Sequence, residues 1–142
     1  MTEQCISKEI MFPVEFYDVD PMRIVWHGNY VKYMEKARCA LLDSLDFGYL
    51  EMEKIGVAFP VTDIKLKYIK SLRFGDMVRA VARLIEYENC IKIVYELYNA
   101  ATGELTTKAQ STQMAVDIKT NESSFFVPAL FLERVQKALA AL

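Results

Sequence analysis

The residues best suited to chemistry sit together in one stretch, Phe16-Tyr17-Asp18-Val19-Asp20-Pro21-Met22-Arg23-Ile24-Val25-Trp26-His27-Gly28-Asn29-Tyr30. It contains His27, the only histidine of the 142-residue chain. Pro21 cannot donate to a sheet ladder and biases the residue before it away from helix. Asp20 is therefore expected in an extended or turn conformation just past a strand. A long helical pattern opens near Asn29, and the first backbone N–H groups of a helix have no partner inside it. A carboxylate, an imidazole and such a helix start are enough for a hydrolytic site. Asp20 supplies a general base or a nucleophile. Amides near His27 and Gly28 polarise a carbonyl oxygen.

Each of these residues also has an ordinary structural use. An Asp before Pro commonly serves a turn, and a His beside a Trp commonly packs. Asp18 is the closer fit to a pure turn role. Tyr30 falls on the apolar side of the following helix, which makes it core first and pocket lining second. Glu35 and Arg38 have the spacing of a surface ion pair on a helix.

The elements that must hold this stretch are legible on both sides of it. Met11 to Tyr17 reads as a short strand, with Pro13 suiting an edge or strand start. From Asn29 to about Asp46, Tyr30, Met34, Ala37, Leu41 and Leu45 recur at steps of three and four, an amphipathic helix with Asn29 as N-cap and Gly48 as stop. Such a stripe needs a broad cover. Ile64, Leu66 and Tyr68 alternate with Asp63, Lys65 and Lys67, a half-buried strand. The turn signal Arg73-Phe74-Gly75-Asp76 leads into Met77–Tyr87, which is apolar on both parities and so predicts a second covered face. Ile91–Leu97 and Leu105–Ile118 follow across Glu88-Asn89 and Asn99–Glu104. Short turns between successive strands predict an antiparallel meander. A C-terminal helix starts at Pro128, with Phe131, Val135 and Leu139 on one face. The fold class is α+β, one long central helix against a five-stranded antiparallel sheet.

Length predicts a single domain over residues 1–142, large enough to bury roughly two thirds of its unfolded surface. With 53% hydrophobic and 25% charged residues the composition is that of a globular protein. A net charge of −2 argues against nucleic-acid binding. No apolar run is long enough to span a membrane, and the first ten residues lack a signal-peptide core. Cys5, Cys39 and Cys90 are odd in number and scattered. With one histidine, neither a zinc site nor a disulfide framework is expected. The expected setting is the reducing cytoplasm.

Asp20-x-x-Arg23-Ile24-Val25-Trp26-His27-x-x-Tyr30, followed by Tyr33-x-Glu35-x-Ala37-Arg38, resembles the signature of the 4-hydroxybenzoyl-CoA thioesterase family of hotdog-fold acyl-CoA thioesterases. The resemblance runs from about Met11 to about Ile118. It implies a hotdog fold, in which the sheet wraps the long helix, and hydrolysis of an acyl or aroyl thioester of CoA or of acyl carrier protein. It implies Asp20 and His27 as catalytic residues and the His27 and Gly28 amides as oxyanion donors. Tyr30 and the segment Pro60-Val61-Thr62 are then substrate-binding, the latter lining the acyl pocket of a neighbouring subunit. A homodimer or homotetramer follows, with no metal or other cofactor, since thiolate leaves readily. Lys65, Lys67, Lys70 and Arg73 form a basic stretch able to meet phosphates. The family usually has Gly where this chain has Arg23, a position that points to positive φ or close ligand approach. Two rivals differ in class: a hydratase or dehydratase on the same fold, and a noncatalytic acyl-thioester binding protein.

Overall fold

In the computed structural model, which describes residues 5–142, the amphipathic pattern forms helix α1 (Asn29–Ser44). Its stripe of Tyr30, Met34, Ala37, Leu41 and Leu45 is almost fully buried. The cover is an antiparallel sheet of β1 (Ser7–Pro13), β3 (Val61–Tyr68), β4 (Met77–Glu86), β5 (Ile91–Asn99) and β6 (Leu105–Gln113), in the spatial order β1-β4-β5-β6-β3. A small second sheet joins β2 (Val57–Ala58), β7 (Ala115–Asp117) and β8 (Ser123–Ser124). Two shorter helices complete the chain, α2 (Tyr49–Lys54) and α3 (Ala129–Ala140). This is the five-stranded sheet, long helix and C-terminal helix expected from the sequence.

Helix α1 packs on β1, β4 and β5. Alternation puts Val78, Ala80, Ala82 and Leu84 beneath it, all buried, and the two alanines let helix and sheet approach closely. Ile93, Tyr95 and Leu97 continue the same face on β5. On the opposite parity of β4, Val81 is buried but Ile85 is half exposed. That face is roofed in part by the Arg79 guanidinium over the Tyr98 ring and by the Arg83–Glu96 ion pair.

Several expectations need correction. The first strand ends at Pro13; Phe16–Asp18 is a 3-10 turn, because the Asp18 carboxylate accepts the Glu15 amide and closes the chain on itself. Helix α1 stops at Ser44, and Gly48 caps α2, which the sequence did not announce. The N-cap of α1 is Gly28; the Asn29 side chain instead reaches back to the Asp18 carbonyl. The meander holds only for β4, β5 and β6, since β3 pairs with β6 on the far edge. The connection after β3 is too long for a tight hairpin. It crosses the end of the sheet and is pinned by fully buried Leu72, whose carbonyl accepts the Val25 amide. The last strand breaks at Met114 into β6 and β7. Finally, the alternating β3 is not half-buried: Ile64 is 38% and Tyr68 49% exposed, because α1 does not extend over this edge.

Candidate active site

The loop between the 3-10 turn and α1 is a closed hairpin. Val19 bridges to Val25, and the Asp20 amide donates to the Ile24 carbonyl at 2.9 Å. The Asp20 carbonyl accepts the Arg23 amide at 2.8 Å, and Asp20 Oδ1 accepts the Met22 amide at 2.8 Å. The second carboxylate oxygen has no partner among the described residues. Arg23 carries φ 66°, the left-handed conformation that glycine favours. The loop therefore takes the glycine-type path with an arginine in it, and the Arg23 side chain is exposed.

Asp18 has a different fate. Its Oδ2 accepts the Tyr33 hydroxyl at 2.8 Å and the Glu15 amide at 2.9 Å. Its carbonyl accepts the Trp26 amide and the Asn29 side chain. Burial, and next the bond to Asp18, push the Tyr33 phenol well above the ordinary tyrosine range, so it remains a donor. Asp18 thus ties strand end, loop and helix start together and is buried by doing so.

At the start of α1 the Asn29 amide turns back to the Trp26 carbonyl. Neither the His27 nor the Gly28 amide has an acceptor among the described residues. The His27 carbonyl accepts the Tyr68 hydroxyl from β3 at 2.9 Å, and the Tyr68 and Tyr30 rings meet edge to face at 5.1 Å. Burial raises the Tyr30 phenol above its usual range, partly opposed by the Leu72 amide that donates to it. A methyl group at Gly28 would lie 2.3 Å from the half-exposed Trp26 ring, so a side chain there displaces the indole. These groups surround a cleft of about 320 Å³ lined by Asp20, His27, Tyr30, Tyr68, Ile69 and Lys70.

The thioesterase-like superfamily pattern matches residues 14–139. The chain belongs to this superfamily. It is a thioester hydrolase of hotdog fold. It is 44% identical over 113 residues to a Bacillus subtilis (strain 168) protein provisionally named acyl-CoA thioesterase YneP, covering 78% of this chain and 79% of that one. A DHNA-CoA thioesterase from Staphylococcus aureus superposes with a TM-score of 0.83 at 27% identity, over 94% of this chain and 91% of that one. A 1,4-dihydroxy-2-naphthoyl-CoA thioesterase from Synechocystis shares the fold at 14% identity, with a TM-score of 0.83 over 92% and 96% of the two chains.

In this thioesterase Asp20, His27 and Tyr30 line one cleft, with Gly28 beside it, whereas Pro60, Val61 and Thr62 are elsewhere. Pro60 borders a separate groove of about 880 Å³, with Phe59, Leu42, Met52, Arg38 and Gln113. Thr62 bonds to the Thr112 carbonyl, and Val61 is exposed on the edge strand. Glu35 and Arg38 form the ion pair their spacing predicts, but at this groove rather than on an open surface. The basic stretch divides: Lys70 lines the cleft and pairs with Glu104, while Lys65 and Lys67 point to the other face of the sheet. Sequence reasoning missed Tyr68 and Leu72 as parts of the site. Tyr68 was findable by parity, since it shares a strand face with Ile64 and Leu66. Among the described residues no group of three or more His, Cys, Asp or Glu side chains could hold a metal ion, and no helix is long and apolar enough to cross a membrane.

Proposed function

We propose that the chain hydrolyses an acyl or aroyl thioester of CoA to the free acid and CoA, in the manner of the 4-hydroxybenzoyl-CoA thioesterases. The observation that carries this reading is the cleft that Asp20 lines beside the unengaged His27 and Gly28 amides at the start of α1. The thioester carbonyl oxygen accepts those two amides, which meet the charge that develops on it. Asp20 either takes a proton from an attacking water or adds to the carbonyl carbon to give an anhydride that water then opens. The carbon–sulfur bond breaks, the thiolate departs with the electron pair and is protonated from solvent. The His27 side chain orients the thioester or holds the water beside Asp20. The YneP name and the full-length likeness to the DHNA-CoA thioesterase support CoA as the carrier.

The acyl group extends from this cleft to the Phe59–Pro60 groove of a second copy. Supporting this, β3 is an edge strand with Val61, Ile64 and Tyr68 uncovered, and an open edge of this kind invites strand pairing. Antiparallel self-pairing of β3 sets the Val61 end of one copy beside the Tyr68 end of the other. Sedimentation of the protein as a monomer at assay concentration would remove this part of the reading. Cys5, Cys39 and Cys90 are all free, which fits a cytoplasmic setting. The test of function is thiol release from a panel of short, long, branched and aromatic acyl-CoAs, with acyl carrier protein thioesters in parallel. Release from at least one CoA thioester is expected. Tight binding across the panel without thiol release would leave a binding protein instead, and loss of an enoyl chromophore without thiol release would mean hydration.

A further inference from the structure

We propose that Lys65, Lys67 and Lys108 form a phosphate seat for the nucleotide end of CoA, on the face of the sheet turned away from α1. The inference rests on the reading of the chain as an acyl-CoA hydrolase. In the β3–β6 ladder Lys67 stands directly across from Lys108, and Lys65 stands across from Gln110 on the same face. Like charges directly opposed across two strands repel and weaken the pair. Among the described residues none of the three lysines forms an ion pair, whereas Lys70, Arg79, Arg83 and Lys92 each do. The one acid in register with Lys108 is Glu96, and the Arg83 guanidinium already occupies it. The lysines border a shallow hollow of about 260 Å³, with Gln110 as a further polar wall.

Lysines on an edge strand can simply discourage aggregation. That accounts for Lys65 and Lys67 on β3 but not for Lys108, which lies on β6 with a paired strand on either side. The location supplies the ligand. The Lys67–Lys108 pair is one step from Tyr68–Thr107, the last pair of the ladder, and the next residues, Ile69, Lys70 and Ser71, line the catalytic cleft. A chain leaving the cleft over the rim at Ile69–Ser71 arrives at these lysines. CoA is neutral at its thioester end and polyanionic at the other, so this path takes phosphate to ammonium groups that form no ion pair among the described residues.

The test compares the wild type with a double variant carrying Lys67→Gln and Lys108→Gln. Adenosine 3′,5′-bisphosphate is titrated by calorimetry at low salt, because exposed charges are strongly screened otherwise. The variant is expected to bind it about tenfold more weakly, the scale of a lost charge-assisted contact. Its preference for acyl-CoA over acyl-pantetheine, as a ratio of kcat/KM, falls by a similar factor. Removal of the repulsion leaves Tm equal to or above that of the wild type. Equal affinity in the two proteins overturns the proposal. So does a wild type that takes up inorganic phosphate as tightly as the bisphosphate, which would make the hollow a bare anion site. Loss of bisphosphate binding in a protein that hydrolyses no thioester would keep the seat and discard the hydrolase reading.

Discussion

The Tyr33 hydroxyl donates to the Asp18 carboxylate at 2.8 Å, and this bond separates two neighbouring aspartates into different duties. Asp18 is buried, and one of its carboxylate oxygens accepts both the Tyr33 hydroxyl and the Glu15 amide; Asp20 accepts the Met22 amide and lines the cleft. Asp18→Asn replaces a charged acceptor of two donors with a neutral one. It is expected to lower unfolding stability by about 1.5–3 kcal/mol, the range for hydrogen bonds to charged groups. Chemical denaturation measures this, and a variant as stable as the wild type would show that the Asp18 knot does not hold the loop.

Arg23 at φ 66° bears a conformational cost that glycine would not. A left-handed residue with a side chain costs about 1–2 kcal/mol, and glycine returns about 0.5–1 of that through the entropy of the unfolded chain. Arg23→Gly is therefore expected to raise stability by roughly 0.5 kcal/mol with the loop path intact. A clear loss of stability would mean that the exposed arginine side chain makes a contact worth more than the strain.

A methyl group at Gly28 would overlap the half-exposed Trp26 indole, which must move to admit it. Gly28→Ala pushes the indole away from the helix start, where the two amides proposed as oxyanion donors lie. A displacement on this scale is expected to lower kcat on the order of ten- to a hundredfold. The far-ultraviolet circular dichroism spectrum should be retained. Unchanged kcat would place the oxyanion site elsewhere.

The Arg83 guanidinium, donating to Glu96, holds the Glu96 carboxyl below the ordinary range. A carboxyl depressed in the folded state adds stability above its unfolded pKa of about 4.3, and that stability is lost as pH falls through the lower folded value. Glu96→Gln should therefore flatten the decline of Tm between about pH 6 and about pH 3. Parallel curves for the two proteins would mean that the pair contributes nothing measurable.

Much of the fold was legible because two periodicities are clean. Tyr30 to Leu45 repeats as a helix and Ile91 to Leu97 as a strand, and both sit where the pattern put them. What stayed hidden depends on contacts distant in sequence. That β3 lies beside β6 is a pairing distant in sequence, and the connection out of β3 is held by buried Leu72, which no local signal reports. Helix α2 is a single short turn-and-a-half whose two leading residues, Tyr49 and Leu50, are exposed, so it carries no stripe to read. At the site, the expected grouping of Asp20, His27 and Tyr30 is local and found in one cleft. Pro60, Val61 and Thr62 lie apart from it in the single chain. The substrate-binding role proposed for them requires a second copy.

The most direct test of the central claim is the rate of thiol release by Asp20→Asn, on whichever acyl-CoA the wild type cleaves best. The expected result is a kcat at least about a hundredfold lower, the scale of a lost general base. Tm and the circular dichroism spectrum should stay at wild-type values, because among the described residues the Asp20 side chain bonds only to the Met22 amide. Near-normal turnover by that variant, with an inactive but folded Asp18→Asn protein beside it, would contradict the account.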